Sequence, residues 1–124
     1  MNLDELNRTI QEINNFIKNQ DWFDFEVKQY VGNELVVQGG LSLTYPDIEI
    51  IFRDIFLTSL PMEWKTDTSG TVLTILEGDE EKKINEEFQV EYLHHIFKFT
   101  PEDYPSNFGC IIAAKHVSYN ILKP

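Results

Sequence analysis

The stretch QDWFDFEV, residues 20–27, is where the apolar periodicity of the chain changes from helical to extended. Its core-forming side chains are two residues apart: Phe23, Phe25 and Val27. Because successive side chains of a strand point to opposite faces, this spacing predicts a strand with one buried face. Asp24 and Glu26 are then predicted to lie on the opposite, more solvent-exposed face, where they are either solvated or in contact with a partner.

An amphipathic helix is predicted upstream of this strand, over residues 3–19. Its apolar residues are spaced by three and four, which places them on one stripe of a helix: Leu3, Leu6, Ile10, Ile13 and Ile17. Asn2 followed by Glu5 resembles a capping box with Asn as the cap. A single apolar stripe means a single buried side, so we expect the helix to lie on one face of a sheet.

Downstream of residue 27, apolar alternation and turn residues predict further strands. Gly32-Asn33 and Pro46-Asp47 are typical turn pairs, and a shift in the apolar frame near Arg53-Asp54 indicates a bulge. Residues 62–70 are predicted to be a connection, and residues 78–85 a charged turn. The predicted strands are 22–31, 34–45, 47–58, 71–77, 87–99 and 109–121.

These elements predict a single α+β domain spanning residues 1–124. Consecutive strands joined by short turns pair antiparallel, because parallel pairing requires crossovers of about a dozen residues or more. The predicted fold is therefore an N-terminal amphipathic helix packed on one face of a mainly antiparallel meander sheet of about six strands. The alternating pattern also predicts an opposite sheet face that stays polar.

The chain is strongly acidic, with 21 acidic and 10 basic residues and a formal net charge of −11. Such a charge argues against binding to duplex nucleic acid or to anionic membranes, whose phosphates attract cations. It favours a basic protein partner, whose approach it would steer. The alternative is that the acidic residues only keep the protein soluble. In either case we expect a monomer or weak dimer.

The cellular compartment is predicted from cysteine usage and from the lack of long apolar runs. Cys110 is the only cysteine, so no intramolecular disulfide can form, which suits a reducing cytoplasm. Residues 1–20 are too polar for a secretion signal, and no apolar run approaches the length of a membrane span. A cytoplasmic protein is the expectation.

Catalytic and metal-binding patterns are sparse in the sequence. Gly39-Gly40 lacks the features of a phosphate-binding loop, and Cys110 is expected about 20 Å from His116 along one strand. His94 and His95 should point to opposite faces of a strand, so they cannot chelate one metal together. We therefore predict no catalytic residues, no cofactor and no metal.

The candidate partner-binding residues are carboxylates and aromatics expected at the surface. Asp24 and Glu26 belong to the strand predicted over residues 22–31. Six acids come from the densest charge run: Glu77, Asp79, Glu80, Glu81, Glu86 and Glu87. Trp64 and Tyr104 are candidate anchors, since interfaces favour rigid aromatics beside charge. For the charge run the alternative is a solvated turn, and for the aromatics it is burial in the core.

Four stretches are similar to a known group of proteins: residues 22–27, the polar turn and strand that follow as far as Leu43, residues 48–55 and residues 111–117. Over roughly residues 20–120 the chain resembles the immunity proteins of bacterial polymorphic-toxin systems, including families related to immunity protein fifty. In such families an aromatic-Asp-x-x-Val strand precedes an apolar-x-apolar-x-Phe-x-Asp/Gly-apolar strand. This chain has Phe25 where those families have Ser or Ala. The resemblance implies a cytoplasmic antitoxin that binds and blocks a cognate toxin, often a nuclease, without catalytic residues of its own.

Three hypotheses for the function follow. The first is a non-enzymatic acidic binding protein, with an immunity protein as its specific form. The second is a small enzyme or ligand-binding domain, with a pocket between helix and sheet lined by Asp54, Tyr92 and His94 or His95. The third is a structural or phage-type accessory protein that self-associates through a sheet edge.

Overall fold

The computed structural model of the protein describes residues 1–123. The fold is α+β, with an N-terminal helix on an antiparallel sheet, as predicted, and the sheet is curled. It has seven strands rather than six, and a second helix. In chain order the elements are α1 Leu3–Ile17, β1 Phe23–Val31, β2 Glu34–Gly40, β3 Ile48–Ser59, β4 Glu63–Thr66, β5 Leu73–Ile75, α2 Gly78–Phe88, β6 His95–Phe99, a short 3-10 helix Ser106–Phe108, and β7 Ile111–Ile121.

The sheet is not a simple meander, although each pair of neighbouring strands is antiparallel. The strand order is β4-β1-β2-β3-β7-β6-β5. Strands β1 to β3 form one meander and β5 to β7 form another, and β3 and β7 join the two. Strand β4 follows β3 in the chain but pairs with β1. The predicted bulge in β3 lies slightly later than expected, because the register shifts between Ile55 and Leu57.

Helix α1 forms where the sequence predicts it, with the predicted Asn2 cap and the predicted buried apolar stripe. The Asn2 side chain accepts a hydrogen bond from the Glu5 backbone N–H at 2.8 Å, and it donates one to the Glu5 carboxylate at 2.8 Å. The apolar stripe is buried at Leu6, Ile10, Ile13 and Ile17, whereas Leu3 is exposed. The helix packs against β5 and β7 on what we call the inner face of the sheet.

Aromatic rings join the two halves of the curled sheet across the inner face. The Phe25 ring lies 5.5 Å from that of Trp64 on the neighbouring strand and 5.2 Å from that of Phe99 on β6. Trp64 and Phe99 are 5.0 Å apart in an edge-to-face arrangement, although β4 and β6 are far apart in the strand order. The core therefore depends on the sheet curling enough to bring these strands together.

Helix α2 replaces the turn predicted for residues 78–85, and it also takes the start of the strand predicted for residues 87–99. The segment is rich in Glu and Lys, which favour helix, and three acids in its first turn complement the helix dipole: Asp79, Glu80 and Glu81. The chain leaves the helix through Gln89, whose φ is 51°, and β6 begins only at His95. The apolar periodicity of α2 is limited to the four-residue spacing of Ile84 and Phe88.

The remaining corrections concern strand ends and one missed strand. Strand β2 ends at Gly40 rather than residue 45, and β5 covers only Leu73–Ile75 of the predicted 71–77. The predicted connection over residues 62–70 contains β4, in which Trp64 and Thr66 are buried while Glu63 and Lys65 are exposed. This alternation is typical of a strand, but four residues are too few to distinguish a strand from a connection in the sequence.

Both edges of the sheet are partly covered by polar groups from other elements. At the β5 edge the Asn14 side chain accepts from the N–H groups of Val72 and Leu73 and donates to the Leu73 carbonyl at 2.8 Å. At the β4 edge the Asp103 carboxylate accepts from the Lys65 N–H at 3.1 Å. Covered edges oppose strand addition by a second copy of the chain. Across residues 1–123, no helix is both long enough and apolar enough to cross a membrane.

Gly39 provides a test of the inner-face packing. A Cβ added at this position would lie 2.6 Å from two atoms of the Phe25 ring and 2.7 Å from one of the Phe23 ring. We expect Gly39→Ala to lower the free energy of unfolding by about 1–3 kcal/mol, because both rings are fully buried and cannot move aside freely. Urea denaturation measures the change.

The matched control is Gly70→Ala. An added Cβ there meets nothing within 4 Å, so stability should change by less than about 0.5 kcal/mol. Equal stability for the two variants would show that the rings do not lie against Gly39.

Candidate functional site

The two acids of β1 lie on the outer face of the sheet, away from α1. Asp24 is opposite Lys65 on β4 and Gly40 on β2, while Glu26 is opposite Glu63 and Gln38. Asp24 and Glu26 are half-buried, whereas Phe23 and Phe25 are fully buried on the inner face. The structure thus places both acids where the two-residue period predicts them.

A line of acidic side chains crosses the sheet at the level of Glu26. Cross-strand neighbours follow one another in the order Glu63, Glu26, Gln38, Glu49 and Asn120. We call the three acids Glu63, Glu26 and Glu49 the acidic row. Glu49 accepts a hydrogen bond from the Asn120 side chain at 2.8 Å. Among the described residues, no salt bridge neutralises Glu26 or Glu63.

The pairing of Glu26 with Glu63 is unfavourable for the free protein. Directly opposed residues of an antiparallel pair have Cβ atoms about 4.5–5.5 Å apart, and like charges at that distance destabilise the sheet. The adjacent pair, Asp24 with Lys65, has the complementary arrangement. Stability of the fold therefore gives no reason for a second acid opposite Glu26.

Beside the acidic row, a cleft of about 470 Å³ opens at the β1–β4 edge of the sheet. We call it the edge cleft. Three acids line it, Asp24, Glu63 and Asp103, against one lysine, Lys65. Its other exposed or half-buried lining side chains are Leu43, Met62 and Tyr104. The cleft thus combines apolar walls with a net excess of two negative charges.

The two predicted aromatic anchors have different surroundings. Tyr104 is half-buried in the edge cleft, where its ring lies 4.8 Å from that of Phe108 and its hydroxyl donates to the Glu63 carbonyl at 3.5 Å. Trp64 is 1% exposed and belongs to the core, so its ring cannot anchor a partner. Of the two, only Tyr104 is accessible.

The six acids of the charge run lie on or next to helix α2, apart from the edge cleft. Glu80 pairs with Lys98 of β6 at 3.0 Å, and Glu81 is half-buried. The other four are exposed: Glu77, Asp79, Glu86 and Glu87. The structure thus divides the predicted partner-binding residues into an edge-cleft group and an α2 group.

Sequence reasoning missed Glu49, Glu63 and Asp103 as members of the site. Glu63 is found only if residues 63–66 are recognised as a strand and paired with β1, and Asp103 only if its loop is known to cover the β4 edge. The alternation Glu-Trp-Lys-Thr at residues 63–66 is the one local signal that could have indicated Glu63.

Groups suited to catalysis are buried or dispersed. Cys110 is 1% exposed, and burial raises the pKa of its thiol to about 12, so the reactive thiolate is scarce at neutral pH. Burial lowers the pKa of His95, while the negative charge of Glu81 opposes this shift. Within residues 1–123 no group of three or more His, Cys, Asp or Glu side chains could hold a metal ion.

The residues suggested for a pocket between helix and sheet do not converge there. His95 lines a groove beside α1, whereas Asp54 and His94 line a separate cleft. The His94 ring lies 5.4 Å from the Phe56 ring in a tilted arrangement, and Tyr92 is 90% exposed. The buried side chains of α1 pack against those of the sheet, and a groove of about 440 Å³ remains between the helix and strand β5.

We expect Glu63→Gln to raise the free energy of unfolding by roughly 0.2–1 kcal/mol at low salt, because it removes one of two opposed like charges. Urea denaturation in about 10 mM and about 0.5 M NaCl measures this gain, which should shrink at high salt as the charges are screened. Glu91→Gln removes an exposed acid that has no opposed acid on a neighbouring strand, and it serves as the control. A loss of stability in Glu63→Gln alone would contradict the repulsion.

Comparisons with protein-family models, with curated proteins and with solved structures find no match to this chain. The resemblance to immunity proteins accordingly rests on the short segments of the sequence described above. The geometry of the acidic row and the edge cleft is the basis on which a function can be proposed.

Proposed function

We propose that this protein is a non-enzymatic acidic binding protein of the immunity type, which neutralises a basic toxin domain by direct contact. The observation that carries the proposal is the pair Glu26 and Glu63, two opposed acids without a salt bridge on an uncovered part of the sheet. A basic side chain from a partner would remove their repulsion on binding. The net charge of −11 and the resemblance to immunity proteins support the same reading.

The edge cleft has the chemistry to receive a lysine or arginine side chain of the partner. The aliphatic part of such a side chain would lie against Leu43, Met62 and the Tyr104 ring, while its cationic end would reach the carboxylates. Long basic side chains have this division between an apolar stem and a charged head. Desolvated anchors of this kind dominate the affinity of protein interfaces.

The acidic row extends the contact surface across the neighbouring strands. Adjacent strands are about 4.8 Å apart, so Glu63, Glu26 and Glu49 span about 14 Å across the sheet. A basic surface facing this row would gain several charge pairs at once. Such complementarity raises the association rate and makes it fall with salt.

The test is co-expression with the toxin domain that we expect the neighbouring gene to encode. The wild-type protein should restore growth and bind the purified domain, and affinity should fall as salt increases. We expect Glu26→Lys combined with Glu63→Lys to weaken binding by about 100-fold or more and to abolish protection, since like charges across an interface cost several kcal/mol.

The control is Asp4→Lys combined with Glu91→Lys, which makes the same change in net charge at exposed positions outside the edge cleft and the acidic row. It should keep protection and change affinity by less than about threefold. Equal loss in the two double variants would mean that net charge alone matters. A neighbouring product that is neither toxic nor bound would argue against the immunity role.

A further inference from the structure

Helix α2 is held to the body of the protein by few contacts. None of its side chains is buried, and its main apolar contact is the half-buried Ile84 against the outer-face cluster of Leu76, Ile96, Ile111 and Ala113. The salt bridge from Glu80 to Lys98 adds a polar attachment. An isolated helix of 11 residues is marginal in water, so the position of α2 depends on these few contacts.

A groove of about 750 Å³ runs between α2 and the outer face of the sheet. Its apolar floor includes Leu57, Leu76 and Ile111. Phe88 at the end of α2 and Phe108 in the loop before β7 also line it, and they are 42% and 41% exposed. Two exposed aromatic rings beside one apolar groove are typical of a surface that contacts another molecule.

The negative charge around the groove favours a basic partner. Residues 77–88 contain six acids and two lysines, a net charge of −4. The charged side chains that line the groove balance each other, Glu80 and Glu87 against Lys83 and Lys98, and Glu80 is paired with Lys98 at 3.0 Å. The acidic excess therefore comes from the residues of α2 around the groove, and no salt bridge involves Glu87 among the described residues. A second copy of this acidic chain, or an anionic membrane, would be repelled.

The position of the groove favours a helical partner over an extended peptide. The groove lies on a face of the sheet rather than at an edge, so it offers no strand ladder to the backbone of an extended peptide. A helix satisfies its own backbone hydrogen bonds and can dock through side chains alone. Helix α2 is about 16 Å long, so a neighbouring helix of about three turns matches it.

We propose that this groove docks a basic amphipathic helix of a protein partner. The apolar side of that helix packs on the sheet and the two phenylalanines, and its lysines or arginines face Glu87 and the other acids of α2. This site shares no lining residue with the edge cleft, although the Phe108 ring contacts the Tyr104 ring of that cleft, and it does not require the toxin-neutralising role.

The experiment uses a designed helical peptide of about 14 residues, with leucines on one stripe and lysines elsewhere, titrated into the full-length protein. Amide chemical shifts in NMR spectra report the site. We expect saturable shifts centred on α2 and on the strands and loop that line the groove, and slower hydrogen exchange in α2. The same peptide with its leucines replaced by serines should bind at least about tenfold more weakly.

Matched variants locate the contact. We expect Phe88→Ser combined with Phe108→Ser to weaken peptide binding about tenfold, and Tyr92→Ser, which removes a 90% exposed ring outside the groove, to change it by less than about twofold. Glu87→Lys should weaken binding more than Glu86→Lys, because only Glu87 lines the groove. Circular dichroism and urea denaturation verify that each variant folds.

Three results would overturn the proposal. They are the absence of saturable binding up to about 1 mM peptide, shifts confined to the edge cleft, and equal affinity for the leucine and serine peptides. The Glu26→Lys and Glu63→Lys double variant separates the two sites. It should leave binding of the leucine peptide within about threefold even if the proposed immunity function fails.

Discussion

The contact of the Phe23 and Phe25 rings with Gly39 is the constraint on which the rest of the structure depends. The two rings occupy the space in which any larger residue at position 39 would place its Cβ. Phe25 also contacts Trp64 and Phe99, and so joins strands from both halves of the curled sheet. Because these rings lie on the inner face and successive side chains of a strand alternate between faces, Asp24 and Glu26 must lie on the outer face.

The two faces of the sheet consequently have different roles. Helix α1 closes the inner face with its apolar stripe, and this side supplies most of the burial that stabilises the fold. The outer face is covered only in part, by the loosely attached α2, and the rest carries the acidic row. A face that is both uncovered and self-repelling contributes little to stability, which is why we propose it as the binding surface.

The sequence was sufficient for the parts of the fold whose signals are local. The stripe of α1 and the alternation of β1 and β3 each lie within one continuous segment, and their predicted bounds differ from the observed ones by at most two residues. Strand β4 and helix α2 were missed. The first is only four residues long, and the second has only two apolar positions, Ile84 and Phe88, beside its charges.

The candidate site was predictable only where it depends on β1. Asp24 and Glu26 follow directly from alternation, but the opposed Glu63 depends on the pairing of two strands that are more than thirty residues apart. Trp64 shows the same limit, because an aromatic residue in an assumed connection proved to be a core residue of a strand. Long-range pairing is set by the packing of the whole domain, and the local pattern does not encode it.

The most direct test of this account is the salt dependence of the stability of the unmodified protein. The carboxylates of the acidic surface repel one another, and few ion pairs compensate for this repulsion. The free energy of unfolding, measured by urea denaturation, should therefore rise as NaCl increases from about 10 mM to about 0.3 M and screens the carboxylates. A steady fall over the same range would show that attractive charge pairs dominate the surface, and it would contradict the account.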